Sequence, residues 1–129
     1  MKKFTIKNGK YGKRLILCSK LTEEIIGYCI DKDIKELELN YAKGYKAENL
    51  SLLKDLTHLL AFEILDYPDY SLDEIHYLRN LKELTISCYD KTPINLTQFR
   101  ELENLSIYWR KGVIALDKLS NLKELFIYM

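Results

Sequence analysis

Glycine and proline are scarce, five of the first and two of the second in 129 residues. That excludes a collagen-like or linker-rich chain and leaves little material for the glycine loops with which nucleotide enzymes cradle phosphate. No GxGxxG, GxSxG or HExxH stretch occurs. Cysteine is equally thin: Cys18, Cys29 and Cys88 form an odd set without CxxC spacing, which fits neither a disulfide framework nor a zinc site. They are expected to be reduced and mostly buried. No apolar run approaches the roughly 18 residues of a membrane helix, and runs such as Leu15-Ile16-Leu17-Cys18 are strand-sized. Met1-Lys2-Lys3 leads into Phe4-Thr5-Ile6-Lys7-Asn8-Gly9 without the apolar stretch of a secretory signal. A cytoplasmic protein without a membrane partner is the expectation. An excess of one charge is also lacking, since 20 Lys and Arg stand against 19 Asp and Glu for a net charge of +1. The strong positive field that accompanies phosphate-backbone binding is absent, so nucleic acid is not the expected partner.

Hydrophobic residues at 47% and charged residues at 30% suit one globular domain spanning 1–129, with enough apolar material for a real core. Lys outnumbers Arg 16 to 4, and Ile, Asn and Tyr are plentiful, a bias of AT-rich coding that points to a bacterial source. Charge is unevenly placed. Residues 1–20 hold seven basic side chains and no acid, whereas residues 21–129 hold 13 basic against 19 acidic ones.

The strongest signal is internal repetition. Leu78-Arg-Asn-Leu81-Lys-Glu-Leu84-Thr-Ile86 aligns without gaps on Phe99-Arg-Glu-Leu102-Glu-Asn-Leu105-Ser-Ile107 and on Leu119-Ser-Asn-Leu122-Lys-Glu-Leu125-Phe-Ile127. Leu56-Thr-His-Leu59-Leu-Ala-Phe62-Glu-Ile64 keeps the frame, and Ile34-Lys-Glu-Leu37-Glu-Leu39 and Leu15-Ile-Leu17 continue it with less fidelity. The markers 15, 37, 62, 84, 105 and 125 are 20 to 25 residues apart. Within each unit Leu84 and Ile86 alternate with Thr85 and Ser87, the period of two that sends one strand face inward. The preceding L-x-x-L spacing suits a turn of helix. Capping boxes at Ser71-x-x-Glu74 and Asn95-x-x-Gln98 predict helix starts, and Thr22 to Ile30 and Glu48 to Leu56 predict further helices. A unit this short cannot bury its apolar face alone, so the units must stack.

Period and pattern together resemble the leucine-rich repeat family, and Leu119-Ser-Asn-Leu122-Lys-Glu-Leu125 is similar to bacterial members of the internalin type. The resemblance implies an α/β solenoid with about six parallel strands on a concave face and short helices on the convex face. It also implies recognition through the exposed strand face. One departure stands out: where the family places Asn or Cys to tie adjacent coils together, this chain has Lys20, Ala42, Tyr67, Tyr89 and Arg110. Core packing and strand pairing must then hold the coils. At the start, residues 1–20 read as a hairpin cap and first strand, with Asn8-Gly9 as a tight type I′ turn, and residues 21–129 carry the repeats. Ile127-Tyr128-Met129 falls on the last strand with no blunting element, so that edge is expected to be covered or continued.

Convergent catalytic groups are not evident, and no enzyme is expected. Cys88 with His58 or His76 is the one thiol–base pairing on offer, but both histidines fall in helical parts of their repeats while Cys88 follows a strand. Glu23-Glu24 and Asp73-Glu74 sit in first helical turns, where negative charge complements the dipole. No cofactor or metal is called for. Lysines in the N-terminal segment suit protection of a sheet edge.

The expected site is the solvent face of the strands. Aligning the repeats puts Glu36, Glu38, Glu63, Asp66 and Glu83 on its middle strands and Tyr108, Trp109, Phe126 and Tyr128 on its last two, with Cys88 in an outward column beside Trp109. Acidic residues that steer a partner beside aromatic anchors that bind it predict a protein partner with a basic surface. A non-enzymatic protein-binding module follows, with immunity-type neutralisation of a basic toxin as its narrower form. A self-assembling or structural repeat segment, forming a homodimer through the C-terminal edge, is the alternative.

Overall fold

The chain's alternation of short apolar strands with L-x-x-L turns is laid out in a computed structural model that describes residues 2–129. Strands β1 (Phe4–Asn8), β2 (Lys13–Leu17), β3 (Glu36–Asn40), β4 (Ala61–Asp66), β5 (Glu83–Cys88), β6 (Asn104–Tyr108) and β7 (Glu124–Tyr128) form one open sheet in chain order. β1 and β2 are antiparallel; from β2 onward every pair is parallel. The repeat markers lie opposite one another across the whole parallel set: Leu15 faces Leu37, then Phe62, Leu84, Leu105 and Leu125 follow in register. A slip of one residue would turn every one of these side chains to the wrong face, so the buried column fixes the register.

One helix exceeds two turns. α1 (Glu23–Asp31) begins where the Thr22 hydroxyl accepts from the Ile25 amide, and it points Ile25, Ile26 and Cys29 into the core. The remaining connections are 3₁₀ turns at Tyr41–Lys43, Ser51–Asp55, Asp73–Tyr77, Leu96–Gln98 and Leu116–Lys118. This corrects the reading of Glu48 to Leu56 as an α-helix and of two capping boxes. The Ser71 hydroxyl accepts from the Asp73 amide, and the Asn95 carboxamide accepts from the amide and hydroxyl of Thr97. Neither Glu74 nor Gln98 closes a box, because a 3₁₀ turn of three to five residues ends before a fourth amide is left to cap. L-x-x-L then places both leucines inward, as with Leu78 and Leu81 or Phe99 and Leu102. These side chains join Leu15, Leu37, Phe62, Leu84, Leu105 and their inward neighbours in one core running from β2 to β6.

The hairpin differs from expectation at its tip. Asn8 pairs with Lys13, so the connection is the four-residue loop Gly9–Gly12, closed by the Gly9 amide on the Gly12 carbonyl at 2.8 Å. Asn8-Gly9 is not a two-residue turn. Gly12, at φ +146°, takes up a backbone conformation that other residues rarely adopt. No helix among the described residues is long and apolar enough to cross a membrane.

Candidate functional site

The strand face away from the 3₁₀ turns carries the residues expected to meet a partner, and the fold treats its two ends differently. On β2 to β4 the face is closed. The Arg14 guanidinium donates to Glu36 at 3.1 Å, to Glu38 at 2.9 and 3.1 Å, and to Glu63 at 2.7 Å, tying three strands around one cation. Lys43 reaches the second Glu38 oxygen at 2.6 Å. The Gly9–Gly12 loop folds over this cluster. The Tyr11 amide donates to Glu36 at 2.7 Å, and a Cβ on Gly9 would collide with the same carboxylate.

Glu36 and Glu38 are consequently 3% and 5% exposed, not the solvent-facing acids that strand alternation predicts. Burial pushes the Glu38 carboxyl up, but hydrogen bonds from Lys43 and Arg14 outweigh it and hold the group below the usual carboxylate range. Burial likewise works against the Arg14 charge, and Glu38, Glu63 and Glu36 more than restore it. The uneven charge of the sequence is thus in part satisfied within the molecule. Glu63 remains half-exposed on its far side. Asp66 is held inward by the Tyr70 hydroxyl, which in turn meets the Tyr45 hydroxyl at 2.8 Å. Burial, followed by the neighbouring carboxylate, raises the Tyr70 phenol well above its ordinary value. Glu83 accepts from the Asn104 carboxamide at 3.0 Å, and Lys10 of the hairpin tip shares a hollow with Glu83, Thr85 and Phe126.

The Cys88 thiol makes no hydrogen bond to His58 or His76 among the described residues. Cys88 is fully buried rather than outward, its thiol near the Ile64 carbonyl at 3.9 Å and pushed up to about 12 by desolvation. His76 has both ring nitrogens engaged, one at 2.8 Å from the Asp73 carbonyl and the other accepting from the Asn95 amide at 2.9 Å. The buried Nε2 of His58 has no hydrogen-bond partner.

The aromatic residues of the last two strands adjoin further tyrosines that the expected site did not include. Tyr41, Tyr67 and Tyr89 directly follow β3, β4 and β5, and Tyr108 ends β6. Their ring centroids are 5.1, 5.5 and 4.3 Å apart in succession, a continuous row along the C-terminal ends of four strands. Tyr41, Tyr67 and Tyr89 are exposed large hydrophobics. The Tyr41 hydroxyl pushes the Tyr67 phenol up, and desolvation with Tyr89 does the same to Tyr108. Each ring packs against its neighbour, so the row is a continuous amphipathic ridge. Tyr67 and Tyr89 occupy the very positions at which the repeat resemblance calls for Asn or Cys. Their recurrence one repeat apart is the sequence signal that could have found them.

Arg110, at the last of the five such positions, is buried and does tie coils together. Its guanidinium donates to the Cys88 carbonyl at 2.9 Å, to the Tyr108 carbonyl at 3.1 Å and to Asp90. This pair floors a hollow of about 730 Å³ at the end of the ridge, walled by Tyr89, Pro93, Tyr108 and Trp109 and bordered by Lys91 and Lys111. Beyond it, Phe126 and Tyr128 are exposed on β7, with Tyr128 directly opposite Tyr108. Ridge, hollow and β7 therefore lie side by side, whereas Glu36 and Glu38 belong to the closed end.

The chain matches no family model, and comparison with curated proteins and with solved structures finds no match.

Proposed function

We propose that the chain is a leucine-rich-repeat-like solenoid that acts as a non-enzymatic protein-binding module. Its contact surface is the tyrosine ridge together with the Tyr108–Trp109 hollow. What supports the solenoid part is the in-register column of Leu15, Leu37, Phe62, Leu84, Leu105 and Leu125 across parallel strands taken in chain order. The single observation that carries the binding part is the row of four touching tyrosines, three of them exposed and Tyr108 partly so. Tyrosine offers large contact area with only two side-chain torsions to freeze, and rings already packed on one another have still less freedom to lose. The concave hollow with Trp109 provides the desolvated pocket in which interface anchors concentrate. Three free cysteines, two of them buried, suit a reducing compartment, and the cytoplasm is the proposed setting.

Neutralisation of a basic toxin loses its principal support as the narrower form, because Glu36 and Glu38 spend their charge on Arg14 and Lys43. The exposed charges bordering the hollow are the cations Lys91 and Lys111. Affinity from this surface should accordingly rest on aromatic burial and change little with salt.

Capture from lysate with the wild-type chain beside a Tyr67→Ala, Tyr89→Ala double variant tests the reading. The expected result is one stoichiometric partner whose affinity falls at least tenfold in the variant, roughly the 1.4 kcal/mol or more that hot-spot aromatics carry. Equal capture by both chains, with circular dichroism showing both folded, would overturn it.

A further inference from the structure

The hollow at the end of the tyrosine ridge has a chemistry of its own. Its walls come entirely from residues 89–112, the end of β6 and the stretches that follow β5 and β6. Their frame is fixed. Asp90 has both oxygens engaged, one by the Arg110 guanidinium and the other by the Thr92 amide at 3.0 Å. Gly112, at φ +91°, lies so close to Pro93 that a Cβ there would stand 2.9 Å from the proline Cβ. The Ile94 amide donates to the Gly112 carbonyl at 3.2 Å, and the Ile114 amide donates back to the Ile94 carbonyl at 3.0 Å. The two stretches are therefore joined before anything binds, which lowers the ordering cost of binding.

The side chains around the hollow are rich in donors and poor in acceptors. Lys91 and Lys111 are exposed on its border, and neither enters an ion pair among the described residues. Trp109 brings an indole N–H that can only donate, and Tyr89 and Tyr108 bring hydroxyls that can donate. The lone carboxylate, Asp90, is already spent. A ligand with many N–H groups would find few acceptors there, and a cationic one would meet like charge. Proline offers a carbonyl but no N–H. A polyproline II helix has no internal hydrogen bonds, so its carbonyls are left for a partner's donors.

We infer that the hollow binds a proline-rich, acidic segment of a partner protein in the polyproline II conformation. This rests on the protein-binding reading of the ridge and names the chemistry of the partner. Proline rings pack against Tyr108, Trp109 and Pro93, the hydroxyls and the indole N–H meet the carbonyls, and a carboxylate on the ligand faces Lys91 and Lys111. Such rim charges choose the partner and its direction more than they add affinity, in keeping with the shallow salt dependence expected of this surface. A nucleic acid strand fits less well. Two bordering cations on a chain of net charge +1 give little field for phosphates, and Tyr67 and Tyr89, stacked at 2°, turn faces to each other that bases would need.

The test uses the intact chain and a blocked proline peptide of about ten residues with aspartates at i and i+3, which polyproline II places on one edge at about three residues per turn. Trp109 is the chain's one tryptophan, so its fluorescence reports on the hollow directly. Titration should give a saturable blue shift below about 1 mM peptide. A Gly-Ser peptide with the same aspartates should bind roughly tenfold more weakly, because it must be ordered on binding. Lysines in place of the aspartates should weaken binding about fivefold, the scale of exposed ion pairs, and Lys91→Glu, Lys111→Glu should invert that preference. Absence of a saturable shift, equal binding of the Gly-Ser peptide, a charge preference that the double variant leaves in place, or tighter binding of an oligothymidine would each overturn the inference. Failure of the peptide while partner capture still depends on Tyr67 and Tyr89 overturns this inference alone. Capture that ignores those two residues overturns the reading on which it rests.

Discussion

At the β2–β4 end, the strand face opposite the 3₁₀ turns is covered by the Gly9–Gly12 loop and bound up around Arg14, and Glu36 and Glu38 there are nearly inaccessible. At the β6–β7 end the same columns of the same repeat are bare, and aromatic side chains stand in solvent. Identical strand geometry thus yields a sealed, polar interior at one end and an open, apolar surface at the other. What differs is the neighbour, not the repeat. A residue on the outward side of a strand becomes surface only if nothing else in the chain comes back to lie on it.

The largest expected effect breaks the sealed end. Arg14→Ala leaves Glu36 and Glu38 buried without their shared cation and should cost about 3–5 kcal/mol in urea unfolding. A loss below about 1 kcal/mol, the scale of exposed ion pairs, would mean that solvent reaches these carboxylates freely. Next comes a matched pair in one buried column. Leu37→Ala should cost about 2–5 kcal/mol, whereas Leu125→Ala, already 40% exposed, should cost clearly less. Equal losses would show that the β7 end is as well covered as the β3 end.

A smaller effect is set by pH. The folded Glu38 carboxyl lies below its ordinary value near 4.5, so the unfolded chain binds this proton more readily than the folded one. Its contribution is complete above about 4.5 and is lost as pH falls through the lower folded value. Glu38→Gln should flatten the acid limb of the stability curve, and an unchanged slope would remove Glu38 from the account. Smallest is the open end's own surface. Tyr67→Ala should change stability by only about 0.5–1.5 kcal/mol for each lost ring contact, while binding falls far more. A larger stability loss would make the ridge a structural element first.

Much of the architecture was legible because it is written as spacing. L-x-x-L-x-x-L-x-I, repeated every 20 to 25 residues, gave the strand positions and the residues that face inward, and the parallel strands lie on those markers. The connections were less legible, since Ser71 and Asn95 bond locally in the same way whether a helix or a 3₁₀ turn follows. Glu36 and Glu38 were misplaced because alternation names a face without naming its cover. The hairpin tip that covers them is more than 20 residues upstream. Opposite charges on neighbouring strands, Arg14 beside Glu36 and diagonal to Glu38, were the available hint. Tyr108, Trp109, Phe126 and Tyr128 were found by type and position. Tyr41, Tyr67 and Tyr89 were passed over although Tyr67 and Tyr89 recur one repeat apart, and only the packing shows that the rings touch.

The order of the strands has a mechanical consequence. Each parallel strand is hydrogen-bonded only to its predecessor and successor in the chain, so tension applied between the two ends loads one ladder at a time. Stretched from residue 129, a monomer should yield in steps, β7 first and the Arg14-bound strands last. Each step would release a unit of about 20 residues, on the order of 70 Å of extended chain. The force trace would be a staircase whose final tread is the highest.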